Sequence, residues 1–253
     1  MFIDTHCHLT DDYCSDGDSI DVITRAVDAG VGVMICPTAD PNDIPKAIRL
    51  ANRHNNIYCT IGIHPEYAPT NAYEHLIDSV LKHPKVVGVG EIGLDYHYDS
   101  GNKKQQIELF EQQLDIAKKY ALPVAIHTRD AEEDTANILT GDVRGVMHCY
   151  TSSWDLAKKM LDRGFFFSAS GILTFKNAAE IRETFAKIPN DRIVIETDAP
   201  YCAPVPYRGK TCEPAMVVET ARVLAQIKDL QLGQLESILT ENVKRLYPKC
   251  HVN

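Results

Sequence analysis

No Cys-x-x-Cys pair, no Gly-x-Gly-x-x-Gly turn, no internal repeat and no low-complexity segment occurs in this chain. No apolar run approaches the roughly 18 residues of a membrane span, and no basic-then-apolar signal segment opens the sequence. The eight cysteines, at positions 7, 14, 36, 59, 149, 202, 212 and 250, are scattered. A chain of 253 residues does not need disulfide staples. They therefore read as reduced thiols, and the expectation is a cytoplasmic protein without membrane attachment. Basic charge is also short: the formal net charge is -9. A groove that holds long duplex DNA usually carries a basic excess, so that class of partner is disfavoured, while a local grip on one phosphate is not. The remaining composition, 44% hydrophobic and 24% charged, is that of an ordinary globular protein.

What is present is an alternation. Strand-like apolar runs fall at 2–7, 31–36, 57–63, 86–91, 123–127, 145–148, 165–169 and 192–196. Helical patterns lie between them, near 19–29, 41–54, 73–83, 103–121, 130–139, 153–163 and 177–187, and two more follow near 213–228 and 234–246. The clearest is 103–121, where Ile107, Phe110, Leu114, Ala117 and Ala121 share one face. Eight strand-then-helix units predict a parallel (β/α)8 TIM barrel, one domain spanning 1–253. An open doubly wound sheet is the alternative, weakened by the missing glycine-rich turn after the first strand.

The first strand carries Phe2-Ile3-Asp4-Thr5-His6-Cys7-His8-Leu9. Strict alternation puts Asp4, His6 and His8 on one face and Ile3, Thr5, Cys7 and Leu9 on the other. Two imidazoles side by side on a rigid strand can begin a metal site. Further polar groups sit at strand ends: Glu91 ends strand 4, His127 ends strand 5, His148 ends strand 6 and Asp198 follows strand 8. In a barrel those ends converge on one mouth. Four imidazoles and two carboxylates are too many for one tetrahedral ion and suit two divalent ions, with Glu91 as the natural bridge. Imidazole-rich ligation favours Zn2+ or Mn2+ over Mg2+.

Other residues take provisional places around this centre. Arg129 follows His127 by two positions, where a guanidinium can bind a phosphate in two-pronged fashion. Arg208 and Lys210, in the long proline-rich connection 197–212, can hold neighbouring phosphates. His64 is a candidate proton donor or phosphate hydrogen bonder, and Asp95 and Glu196 are candidates to orient a histidine ligand. Tyr96 and Tyr201 are candidates to stack on a base.

The segments His6-x-His8, Ile61-Gly62-Ile63-His64-Pro65, Glu91-Ile92-Gly93-Leu94-Asp95-Tyr96, Pro123-Val124-x-Ile126-His127-x-Arg129, His148-Cys149-Tyr150, Glu196-Thr197-Asp198-Ala199-Pro200-Tyr201 and Pro206-Tyr207-Arg208-Gly209-Lys210 together resemble the TatD-type metal-dependent deoxyribonucleases, from residue 2 to about 246. The resemblance implies an amidohydrolase-like barrel, a binuclear metal centre held by His6, His8, Glu91, His127, His148 and Asp198, and 3′-to-5′ exonuclease activity on DNA. Single-stranded or frayed ends are the expected substrate, with RNA a further possibility and a monomer the expected state. In such a mechanism two ions activate a water, Asp198 takes or orients its proton, Arg129 offsets phosphoryl charge, and His64 or a water protonates the leaving oxygen. Two loops depart from the family pattern: Tyr150-Thr151-Ser152 and Thr211-Cys212-Glu213-Pro214. Both bear on substrate preference. A phosphatase, a small amide or ester hydrolase, and a non-catalytic metal-binding protein are the competing readings.

Overall fold

The computed structural model describes residues 1–10, 20–68, 74–97 and 101–251. The outer ends of two expected helices, residues 19 and 73, and the thiol of Cys14 lie outside the described residues. Eight strands form one parallel sheet in chain order: β1 (Phe2–Asp4), β2 (Val31–Pro37), β3 (Ile57–Thr60), β4 (Val86–Asp95), β5 (Val124–Arg129), β6 (Gly145–Met147), β7 (Phe166–Ala169) and β8 (Ile193–Ile195). The sheet curls back on itself beyond the ends of β1 and β8. Thr5 N–H donates to Ile195 O at 3.0 Å, Asp198 N–H to His6 O at 2.9 Å and His8 N–H to Ala199 O at 2.8 Å. The fold is a TIM barrel.

Helices α1 (Ile20–Asp28), α2 (Ile44–Arg53), α3 (Glu74–Val80), α4 (Lys103–Tyr120), α5 (Glu132–Ile138), α6 (Trp154–Asp162), α7 (Ala179–Lys187), α8 (Val217–Ile227) and α9 (Leu232–Leu246) surround it. Three helix ends have a clear local cause. Ser153 accepts from Leu156 N–H and opens α6. Gln231 and Gln234 cap each other's backbone at the start of α9. Ala121, in the left-handed region at φ 51°, ends α4.

The barrel interior is filled by a cluster to which every strand contributes: Ile3, Val33, Ile35, Tyr58, Val87, Ala125, Val146, Phe166 and Val194. Val243, Leu246 and Tyr247, at the end of α9, join the same cluster. The residues two positions on from Ala125, Val146 and Val194 are His127, His148 and Glu196. Strand parity therefore points these polar groups inward, nearer the C-terminal ends of the strands.

The structure corrects three expectations. The first strand is regular only to Asp4, so strict alternation over 2–9 fails: Ile3 lies in the interior cluster, whereas Phe2, Cys7 and Leu9 pack outward against the helices. Glu91 does not end its strand, because β4 runs on to Asp95 after a register slip between Val89 and Ile92. His127 likewise lies inside β5, which pairs with β4 as far as Asp95 and Arg129. Slips of this kind turn a side chain off the regular pleat.

Candidate metal centre

Six side chains from five strands and their extensions meet around Glu91. Its two carboxylate oxygens face different pairs of rings. Oε2 lies 3.4 Å from His6 Nε2 and 3.6 Å from His8 Nε2. Oε1 lies 2.9 Å from His127 Nδ1 and 2.8 Å from His148 Nε2. Asp198 Oδ1 stands on the His6 and His8 side, at 3.8 and 3.5 Å. The His6 and His148 rings stack at 4.0 Å between centres, which brings the two halves into one cluster.

Carboxylates behind the rings hold them in place. His127 Nε2 lies 3.1 Å from Asp95 Oδ2, and His148 Nδ1 lies 3.3 Å from Glu196 Oε1. Each ring therefore turns its other nitrogen toward Glu91, the pattern by which outer carboxylates set the tautomer of a metal-ligating imidazole. Glu196 Oε1 also accepts from Cys149 N–H at 2.7 Å. Asp4, two residues before His6, does not join the cluster: its carboxylate accepts from Thr197 N–H at 3.0 Å and from Thr197 Oγ1 at 2.5 Å.

His64 lies at the edge of the same group, its Nε2 3.7 Å from Glu91 Oε1. Its Nδ1 accepts from Glu66 N–H at 3.2 Å. The neutral ring therefore carries its proton on Nε2, directed at the centre. Burial lowers His64 to about 3, which keeps it neutral near pH 7.

The electrostatics follow from packing opposite charges out of water. Burial pushes Glu91 upward, but His148, His64 and His127 together outweigh it and hold the carboxylate well below its usual range. Asp198 is lowered too: burial opposes, and the bond with His8 and the charges of His148 and His6 prevail. Burial likewise opposes protonation of His148, yet the flanking Glu91 and Glu196 raise it well above the ordinary imidazole value. His6 goes the other way, lowered first by burial and then by His148.

This donor set fits metal ions. His6 Nε2 is buried and has no hydrogen-bond partner, although two carboxylate oxygens stand within 4 Å of it. A buried nitrogen without a donor or acceptor is costly unless a cation accepts its lone pair. His6, His8 and Asp198 form one convergent group of donors, and Glu91 and His127 lie in a second, at whose edge His64 stands with its proton on Nε2.

The expected phosphate binders lie away from these short contacts. Arg129 is exposed at the end of β5. Arg208 stacks its guanidinium 3.7 Å from the ring centre of Phe175, and its Nη1 donates to Ala203 O at 3.3 Å. Lys210 Nζ is 5.8 Å from the ring centre of Tyr207. The two tyrosines part company. Tyr96 donates to Asp134 Oδ2 at 2.7 Å and lies under Lys103, so its ring is engaged within the protein. Tyr201 is 58% exposed, with its ring edge-on to His8.

Two positioning residues escaped the sequence reading. Gln106 and Gln113 sit on the buried face of α4. The Gln106 side chain accepts from Asp95 N–H and donates to Asp95 O, at 2.9 and 2.7 Å. Gln113 does the same for Ile63, at 2.8 and 3.0 Å. One helix thus clamps the backbone beside Asp95 and beside His64. The available signal was two glutamines seven residues apart on an otherwise apolar helical face.

Comparison with known proteins agrees with this geometry. Residues 3–248 match the model of the TatD related DNase family. The chain is 40% identical to the metal-dependent hydrolase YabD of Bacillus subtilis, covering 98% of this chain and 99% of that one. It is 38% identical to the metal-dependent hydrolase YcfH of Escherichia coli, covering 98% and 96%. The crystal structure of YjjV, a TatD homolog from Escherichia coli, superposes with a TM-score of 0.92 at 29% identity over 98% of each chain. With barrel, donor cluster and relatives in agreement, the chain belongs to the TatD family and is a metal-dependent hydrolase.

Proposed function

We propose that this hydrolase cleaves DNA phosphodiesters, removing nucleotides from 3′ ends that are single-stranded or frayed, with two divalent cations held by His6, His8, Glu91, His127, His148 and Asp198. The observation that carries the proposal is the division at Glu91, one carboxylate oxygen toward each pair of histidines. A carboxylate placed in this way would let Glu91 help to hold two ions at once, and these would supply Lewis-acid chemistry. When bound, such ions act as Lewis acids that make a water acidic and offset charge on the phosphoryl oxygens.

The protein's own groups supply the rest. Asp198 Oδ1, on the His6 and His8 side, orients the attacking water and takes its proton. His64 Nε2–H points into the centre and donates a hydrogen bond to a phosphate oxygen, while a water supplies the proton to the leaving sugar oxygen. Arg129, Arg208 and Lys210 grip neighbouring phosphates. Tyr201, exposed beside His8, offers a face for the terminal base. A net charge of -9 limits the contact to a short stretch of strand end.

The test is end-labelled single-stranded and duplex DNA incubated with protein reconstituted with Zn2+, Mn2+ or Mg2+, alongside a panel of p-nitrophenyl esters and phosphates. Stepwise shortening from the 3′ end is expected. Turnover of the small esters alone would remove the nuclease reading. Glu91→Ala is expected to abolish DNA cleavage while far-ultraviolet circular dichroism stays that of the parent. Undiminished cleavage by that variant after metal loading would remove the bridging role.

A further inference from the structure

At the edge of the imidazole centre stands a second set of donors. Cys149 follows β6 and Cys202 follows β8, and their sulfurs lie with a carboxylate oxygen of Asp198 inside a span of 4.8 Å. Cys202 Sγ is 3.8 Å from Asp198 Oδ2. Cys149 Sγ donates to Ser170 Oγ at 3.2 Å. Asp198 turns its other oxygen, Oδ1, toward His6 and His8, so its carboxylate faces the imidazoles on one side and the thiols on the other. Both cysteines are half-buried, whereas Cys7, Cys36, Cys59, Cys212 and Cys250 are buried. Three of the six non-glycine residues with positive φ among the described residues are these donors: Cys149 at 42°, Asp198 at 58° and Cys202 at 55°. Side chains from two separate loops are turned to one point by a backbone conformation that such residues seldom adopt.

We propose that Cys149, Cys202 and Asp198 form a binding site for a thiophilic divalent cation of the Zn2+ or Cd2+ class, and that an ion held there through Asp198 Oδ2 lowers the basicity of the carboxylate that faces the imidazole centre. Thiolates prefer such soft ions, whereas carboxylates and imidazoles also serve harder ones. Zinc–sulfur bonds of about 2.3 Å in a tetrahedron set two sulfurs roughly 3.8 Å apart, compatible with this cluster. Three protein donors leave the fourth position to a water. Binding balances as two thiols plus one divalent cation giving a dithiolate complex and two protons released to the buffer. The site acts as an inhibitory one, since an ion there competes for the carboxylate that the proposed hydrolysis uses.

Cadmium is the probe. Full-length reduced protein, kept in excess Mg2+ and free of added thiols, is titrated with Cd2+ under anaerobic conditions. The readout is the sulfur-to-cadmium charge-transfer absorption in the ultraviolet. Expected is a band whose full amplitude corresponds to about one thiolate-bound Cd2+ per chain, reached after the imidazole centre has taken up its own Cd2+, and lost in both Cys149→Ser and Cys202→Ser. A band of full amplitude in either variant, or no band in the parent protein, would overturn the site. Thermal melting of Cys202→Ala beside Cys202→Ser separates loss of ligand from loss of fold. The band needs no catalytic turnover, so it stands or falls apart from the nuclease reading. A second measurement rests on that reading: DNA cleavage by Cys202→Ser is expected to need about tenfold more Cd2+ for half inhibition than the parent requires. Equal sensitivity would sever the thiol site from Asp198.

Discussion

At Glu91, oxygen by oxygen, the imidazoles are sorted into two groups, and the carboxylates behind two of them make the sorting rigid. Asp95 and Glu196 touch His127 and His148 rather than the centre itself. Asp95→Asn and Glu196→Gln are therefore expected to weaken metal affinity about 10- to 100-fold with the ligands still present, as equilibrium dialysis will show. Protons compete for the same rings. His148 is raised above the ordinary imidazole value by Glu91 and Glu196, against the effect of burial, and His127 is raised by Asp95 and Glu91. In the metal-free protein the proton on His148 stabilises the fold fully below about pH 6.5, and that contribution fades as pH climbs through the raised value. A cation must displace this proton, so metal loading at neutral pH is expected to release protons and to tighten as pH rises from about 6.5. Calorimetric titration in two buffers of different ionisation enthalpy reads the release directly. A heat of loading independent of the buffer would contradict it. All six proposed ligand positions were visible as residues in the chain. The pairing of particular rings with particular oxygens was not, because it depends on how two separate strands stagger.

Two elements decide how well the centre is held. Helix α4 reads in the sequence as an amphipathic helix with a plain apolar face, and the structure agrees on Phe110, Leu114 and Ala117. What the pattern hid is that Gln106 and Gln113 lie on that face and satisfy backbone groups where β3 and β4 leave the regular ladder. Gln113→Leu strands the Ile63 N–H and C=O and is expected to cost about 1–3 kcal/mol per unpaired group, measured by urea unfolding. Gln106→Leu is expected to lower metal affinity as well, because it frees the backbone of Asp95. Strand β4 depends on glycine at Gly88, Gly90 and, most sharply, Gly93. Gly93 has φ 145°, and a Cβ there would lie 1.9 Å from His127 O. Gly93→Ala is expected to destabilise by roughly 3 kcal/mol or more, and unchanged thermal stability would count against this close approach. The eight strands were legible as apolar runs. Their ends were not, since β4 and β5 prolong each other past the ligands through a shared ladder that neither strand announces alone.

On the scale of the whole molecule, the polar mouth sits above an interior packed by all eight strands. A barrel that gathers this much charge at one end carries a cost in the absence of cations: buried carboxylates and imidazoles face one another, with His6 Nε2 unpartnered. Metal ions bind the folded arrangement and not the unfolded chain. Loading at a hundredfold excess over Kd is therefore expected to add about 2.7 kcal/mol. A chelator is expected to lower the melting temperature, and the fall should be much smaller in Glu91→Ala. No helix among the described residues is long and apolar enough to cross a membrane.

The amino-acid sequence by itself determined the class of fold, through the alternation of apolar strands with amphipathic helices, and it pointed to metal-binding chemistry, through imidazoles and carboxylates placed in or just beyond the apolar runs. Both are periodic or local properties, which a linear pattern can carry. Only the tertiary structure decided that Glu91 stands between two pairs of rings, that Asp198 faces thiols as well as imidazoles, and that glutamines of α4 clamp the backbone at Asp95 and Ile63. Those facts depend on stagger, closure and approach between residues far apart in the chain, and no short window of sequence encodes a distance.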